Sequence, residues 1–189
     1  MTRTVAILVF DEVEVLDFCG PFEVFSVASR FVDPPAFRVQ VVAEKSGPIR
    51  ARGGLSVNPD ATLAACPRPN VLLVPGGQGT RTEMHNPAIL DWIASAAPHA
   101  ELILSVCTGA LVLAKAGLLS GLEATTHRAS LELLRQLAPE TRVRDDLRFV
   151  DNGRVICSGG IAAGIDMSLH VVARLLGPEI ARRTAEHME

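Results

Sequence analysis

The chain has 189 residues, 48% of them hydrophobic and 21% charged, with a net charge of −3. That is length and apolar content enough for one α/β domain with a sizeable core. No basic stripe stands out, tyrosine is absent and Trp92 is the sole tryptophan, which argues against nucleic acid as a partner.

Residues 1–10, MTRTVAILVF, contain an apolar run too short for a membrane span and lack a cleavage site before Asp11. They read as a first strand, in a soluble protein with no membrane partner. An acidic connection, Asp11 to Val15, then leads through Leu16-Asp17-Phe18-Cys19-Gly20-Pro21 into a helix. Pro21 suits its first turn, where no N–H is needed. Phe37 to Ala43 is the next strand. Pro48 to Asn58 forms a short hairpin around Gly53-Gly54, which are turn glycines rather than a phosphate loop. Val71 to Val74 is a fully apolar strand, followed by Pro75-Gly76-Gly77-Gln78-Gly79. Asn86-Pro87 opens a helix with a capping residue and a first-position proline.

Residues 101–118, ELILSVCTGALVLAKAGL, are the centre of the pattern. A short apolar run ends in Ser105-Val106-Cys107-Thr108-Gly109, and a mostly apolar helix follows. Strand, sharp turn and helix with a nucleophile at the turn is the pattern of a nucleophile elbow. Small neighbours let the backbone approach itself, and the adjoining helix N-terminus favours a thiolate. A buried core cysteine is the alternative. Leu122 to His127 reads as a short strand and Leu131 to Leu137 as a helix. Asp151-Asn152-Gly153-Arg154 is a hairpin turn, with Val155 to Cys157 the returning strand. Ile161 to Leu176 is a long helix, and Pro178 starts the last one.

Strands alternate with helices, which predicts one domain over 1–189 with a parallel sheet covered on both faces. A site in such a sheet lies at the carboxyl ends of the strands. Those ends offer Asp17, Gly76-Gly77, Cys107-Thr108 and His127. The Gly76-Gly77 loop is either a plain strand-ending turn or a backbone-donor loop that a substrate can approach. It lacks both the P-loop ending and the dinucleotide spacing. Asp17 is either an acid/base group or a solvated helix-entry acid, and His127 reads as a structural histidine rather than a general base. The four cysteines, at 19, 66, 107 and 157, show no metal-like spacing. They suggest a reducing cytoplasm and imply neither metal nor organic cofactor.

The segments VLDFCGPFEVF, VPGGQGT, SVCTGALVLAKAGLLSG, ATTHRAS and GGIAAGIDMSLHVVARLLG together resemble the ThiJ/PfpI superfamily, of class I glutamine amidotransferase-like fold, and within it the isocyanide hydratase-like branch. The resemblance implies a flavodoxin-like three-layer sandwich with a mostly parallel central sheet, a homodimer and a small-molecule substrate. It implies that Cys107 is the elbow nucleophile. Asp17 matches the acidic residue facing the sulfur in the hydratases, where much of the superfamily has glutamate. Thr108 is hydratase-like, in place of a protease-like histidine. His127 matches a histidine often near the elbow. Arg128 departs from the hydratases, which commonly carry tryptophan there. The chain ends at Glu189 without a helix-turn-helix module, so an autonomous DNA-binding regulator is not expected.

The expected activity is hydration of a small electrophile, an isocyanide becoming an N-substituted formamide through a thioimidate on Cys107. Asp17 serves as acid and base, and Thr108 with nearby N–H groups, Gly76 and Gly77 included, holds polar atoms. The alternatives are glyoxalase-like conversion of 2-oxoaldehydes and a non-enzymatic redox or ligand sensor.

Overall fold

The computed structural model describes all residues, 1–189. In chain order the elements are β1 (Arg3–Leu8), α1 (Val15–Ser29), β2 (Phe37–Ala43), β3 (Ile49–Arg50), β4 (Ser56–Val57), β5 (Ala61–Thr62), β6 (Val71–Val74), α2 (Thr80–Glu83) and α3 (Pro87–Ala96). Then come β7 (Leu102–Val106), α4 (Gly109–Lys115), β8 (Glu123–Ala124), α5 (Leu131–Leu137), β9 (Arg142–Val143), β10 (Phe149–Asp151), β11 (Val155–Ser158), α6 (Ala163–Leu176) and α7 (Pro178–His187).

Seven strands form the central sheet in the order β10-β11-β7-β6-β1-β2-β5. All pairings are parallel except β10 with β11, the antiparallel hairpin expected at Asn152-Gly153. Strands β6 and β7 are buried at every residue, as strands covered on both faces must be. The chain winds from β1 to β2 in one direction and from β6 through β7 to β11 in the other. Right-handed crossovers therefore place helices on both faces. Helices α1, α6 and α7 pack into one layer, while α4 and α5 pack together in the other. This is the three-layer α/β sandwich that the alternation of elements predicts.

Three local readings change. Helix α1 begins at Val15, so Pro21 lies inside it rather than in its first turn. A proline there has no N–H to donate to the Asp17 carbonyl, and packing of the buried face, including Val24, Phe25 and Ala28, carries the helix through. Helix α6 begins at Ala163, not Ile161, because Ile161 has φ of 54° and leaves the helical path. The predicted strand at Leu122–His127 shrinks to Glu123–Ala124, which pairs with Arg142–Val143 outside the main sheet. The hairpin around Gly53-Gly54 is present as β3–β4. No helix is long and apolar enough to cross a membrane.

The winding reverses between β1 and β6, where the chain leaves a crevice at the strand ends. The segments after β1, β6 and β7 meet in it.

Candidate active site

Two residues join β7 to α4. Cys107, the first, has φ of 56°, a left-handed conformation that residues with a side chain rarely adopt. Its N–H donates to the carbonyls of Ser158 and Gly159 at 3.1 and 3.0 Å. Its own carbonyl accepts from Thr126 Oγ1 at 2.7 Å. These bonds fix the turn from the β11 end and from the segment after β8. The small neighbour on the helix side is obligatory, since a Cβ on Gly109 would lie 2.0 Å from the Val74 carbonyl oxygen. The strand–turn–helix reading of the sequence is thus present in detail, strain included.

Asp17 reaches the same point from the first turn of α1. The start of that helix is stitched to the loop after β6. Glu14 N–H donates to Gly76 O at 2.9 Å, and Val13 forms a bridge with Gly77. Asp17 is 0% exposed, so it is not a solvated helix-entry acid. Its Oδ2 accepts from Gly76 N–H at 3.1 Å, while the buried Oδ1 has no partner of hydrogen-bond geometry. No arginine, lysine or histidine forms an ion pair with it. Burial pushes the carboxyl up to about 7, against the steadying effect of the facing Cys107 thiol and of the Gly76 and Ile161 N–H groups.

The sulfur is held up in turn. Burial and then the Asp17 charge push the Cys107 thiol up to about 12, while the Thr108 N–H and hydroxyl pull it back. The thiolate expected from the helix N-terminus is therefore not the resting form beside an ionised Asp17. One N–H and a seven-residue helix do not outweigh desolvation plus a facing carboxylate. The two groups titrate as a unit. A proton on Asp17 removes the opposing charge and presents an O–H to the sulfur, which is the condition for a thiolate.

The Gly76-Gly77 loop does not act as a free donor loop. Gly76 N–H is engaged by Asp17, and Gly77 N–H donates to Thr108 Oγ1 at 3.0 Å. Its glycines answer to packing instead. A Cβ on Gly76 would lie 2.5 Å from the Thr108 nitrogen and 2.7 Å from Cys107 Cβ. Gly77, at φ of 122°, would place one 2.3 Å from the Glu12 carbonyl oxygen. Thr108 Oγ1 also contacts Gly77 O and Thr80 Oγ1, each at 3.1 Å. The loop and the two threonines thus form one polar knot that holds Asp17 and the elbow together.

Cys107, Thr108, Gly77 and His127 line one cavity of about 230 Å³, which Glu14, Gln78 and Ile161 help to close. His127 touches neither Asp17 nor the sulfur by a hydrogen bond. Its Nδ1 accepts from Ala129 N–H at 3.3 Å, which assigns the proton of the neutral ring to Nε2. Its ring packs on Gly160, where a Cβ would come within 2.5 Å of Cδ2. Arg128 lines a neighbouring cavity of about 520 Å³ rather than this one. The departure from the hydratase pattern at residue 128 therefore falls beyond the His127 wall.

Several residues at the site escape sequence reasoning. Thr126 holds the Cys107 carbonyl, and Thr80 completes the knot. Arg81 and Ile161 stand on the cavity wall. Thr80 and Arg81 directly follow the glycine loop, and Thr126 directly precedes His127. Adjacency to motifs already singled out was the available signal. No group of three or more His, Cys, Asp or Glu side chains is arranged to hold a metal.

Comparison with known proteins agrees with this fold. Over its whole length the chain is 37% identical to an isonitrile hydratase of Pseudomonas putida, covering 79% of that protein. It is 31% identical over 172 residues, 91% of its length, to the HTH-type transcriptional regulator CdhR of Pseudomonas aeruginosa, of which it spans half. Among solved structures, a ThiJ/PfpI family protein from Pseudomonas syringae superposes with a TM-score of 0.90 at 30% identity. That match covers all of this chain and 75% of the other. The model of the DJ-1/PfpI family matches residues 3–174, the span that holds the crevice, the elbow and Asp17; the chain belongs to the DJ-1/PfpI family.

Proposed function

We propose that the protein is a cysteine-dependent hydratase that converts a small isocyanide to an N-substituted formamide. The observation that carries this reading is the fully buried Asp17, raised to about 7, facing the elbow sulfur with no cation beside it. Such a carboxyl exchanges protons near neutral pH, which a general acid and base must do. Similarity to an isonitrile hydratase supports the choice of electrophile.

The steps balance on these two side chains. With the shared proton on Asp17, the Cys107 thiolate adds to the terminal isocyanide carbon, and Asp17 protonates that carbon, giving a thioimidate. Water then adds to the carbon as Asp17 takes its proton and passes it to nitrogen. The tetrahedral adduct collapses, its hydroxyl proton returns to Asp17, the carbon–sulfur bond breaks and the formamide leaves. The Cys107 thiolate and the neutral Asp17 are restored. Thr108 steadies the sulfur at the start and the end, as its N–H and hydroxyl lie against it.

The test follows formamide from a simple aliphatic isocyanide. Wild type turns over, while Cys107→Ala and Asp17→Asn lose turnover with the fold intact. An active Cys107→Ala would sink the reading. One finding favours a second reading, the similarity to half of a transcriptional regulator. A ligand-sensing domain built on this site binds a small electrophile without consuming it, so binding without formamide would select that reading. A peroxide-sensing role has less support, because it needs a thiolate at rest.

A further inference from the structure

The cavity that holds Cys107 is polar and carries two arginines. Arg52 comes from the β3–β4 hairpin and has carboxylates nearby, Glu12 at 3.9 Å and Glu14 at 3.6 Å. Arg81, in α2, has none within ion-pair distance. It is half-buried, it lines the cavity, and its guanidinium is a planar five-donor cation.

The Arg81 side chain is nonetheless firmly placed. Nη1 donates to Gly77 O at 3.3 Å and to Thr80 Oγ1 at 3.1 Å, and Nη2 donates to Ser130 Oγ at 3.1 Å. Three of its five N–H groups are engaged by neutral oxygens. Nε–H and one N–H of Nη2 have no acceptor in the protein, and Nε with Nη2 is the guanidinium edge that takes a carboxylate side-on. Thr80 Oγ1 in turn contacts Thr108 Oγ1 at 3.1 Å, so the guanidinium is fixed to the same knot that fixes the elbow. A pre-oriented cation with no carboxylate in ion-pair distance, on a small cavity beside a nucleophile, is the arrangement that receives an anionic group.

We propose that Arg81 is a substrate-binding residue and that the substrate of this site is a small electrophile bearing a carboxylate, which pairs with the open edge of the guanidinium. For the proposed activity this means an isocyano carboxylic acid in preference to a plain alkyl isocyanide, which the site turns over more slowly. The inference rests on the proposed function only in taking Cys107 as the reacting atom.

Two alkylating agents of nearly the same size separate charge from reactivity. Iodoacetate is an anion and iodoacetamide is neutral, and each reacts with a thiolate by displacement of iodide. Their rates at Cys107 and Cys66 are read by peptide mass spectrometry in wild type, Arg81→Gln and Arg81→Lys. The iodoacetate-to-iodoacetamide ratio at Cys107 exceeds that at Cys66 by roughly tenfold in wild type. It falls to the Cys66 value in Arg81→Gln and is partly kept in Arg81→Lys, since lysine retains charge without the fork. A purely structural role for Arg81 changes both rates together and leaves the ratio unmoved, which overturns the proposal. So does failure of both reagents at Cys107 while Cys66 reacts, because a site closed to iodoacetate admits no carboxylate-bearing electrophile. A turnover arm compares an isocyano carboxylate with its methyl ester. If neither is consumed while the alkylation ratio holds, the hydratase reading fails and the anion site stands. If the ester is consumed as fast as the acid, the anion site fails and the hydratase stands.

Discussion

Two aspartates in this molecule show what burial does with and without a counterion. Asp151, at the end of the edge strand β10, accepts from His170 Nε2 at 2.6 Å, from Arg174 at 2.8 and 2.9 Å, and from Gly153 N–H at 2.7 Å. These donors and charges hold its carboxyl below the usual range, against the opposing effect of burial. Asp17 is buried more completely, receives one clear N–H, from Gly76, and meets no cation. Burial wins there and the carboxyl rises to about 7. The first carboxylate is a fastener between α6 and the β10–β11 hairpin. The second faces a sulfur and keeps its proton up to near neutral pH, and the difference is the missing cation rather than the residue type.

Asp17→Asn breaks this contrast most strongly. Loss of the proton carrier lowers turnover by roughly 10²–10⁴-fold, the usual worth of a positioned acid/base group. In wild type kcat/KM rises as pH passes about 7, where the pair sheds its first proton to reach the active one-proton form. That limb disappears in Asp17→Asn. Stability moves the other way. The folded state holds the Asp17 proton more tightly than the unfolded chain does, so wild type loses stability as pH rises from about 4 through about 7. The amount is on the order of 4 kcal/mol. Denaturant unfolding at pH 5 and pH 8 shows the loss in wild type and a flatter response in Asp17→Asn. The same slope in both proteins would mean that Asp17 is ionised throughout.

Gly76→Ala sharpens the comparison by displacing the one N–H that hydrogen-bonds to Asp17. The added methyl meets the Thr108 nitrogen at 2.5 Å and Asp17 Oδ2 at 2.8 Å, so loop and elbow must part. Overpacking against backbone costs about 3 kcal/mol. With its donor displaced, the Asp17 carboxyl rises further, and the lower limb of the pH profile shifts to higher pH. A profile unmoved in a folded Gly76→Ala protein would show that Gly76 serves packing alone.

The sequence made the elbow legible because its demands are local. A buried strand, a cysteine and Gly109 stand side by side, and only a sharp turn connects them. The position of Asp17 was legible as a strand-end candidate, but its burial was not. Pro21 pointed to a helix starting later, which would have left Asp17 in a solvated connection. Six further residues of helix, carried by packing against the sheet, take it inside. The Gly76-Gly77 loop misled for a related reason. Glycines before a helix look like open donors, and nothing in the spacing says that Asp17 and Thr108, 59 and 31 residues away, already accept from them. Arg81 was invisible because an arginine on a four-residue helix after a turn reads as surface. Only the fold brings it to the wall of the Cys107 cavity.

The smallest effect belongs to the other aspartate. Asp151→Asn leaves His170 and Arg174 without their shared acceptor charge, yet all three side chains are partly exposed. Solvent screens much of that interaction, so the loss at neutral pH is about 1 kcal/mol. Its pH dependence has the opposite sign to that of Asp17. A carboxyl held below its ordinary range stabilises the fold above about pH 4, and that contribution fades as pH falls further. Wild type and Asp151→Asn therefore converge in stability toward acid, whereas wild type and Asp17→Asn diverge toward base. Turnover stays within about twofold of wild type in Asp151→Asn, since β10 and α6 meet away from the Cys107 cavity and no residue of the cluster lines it. A large drop in turnover at unchanged stability would mean that the edge hairpin reaches the elbow through β11, whose Ser158 and Gly159 end holds the Cys107 N–H. The two aspartates would then be coupled rather than independent, and Asp17→Asn combined with Asp151→Asn would fall short of additivity.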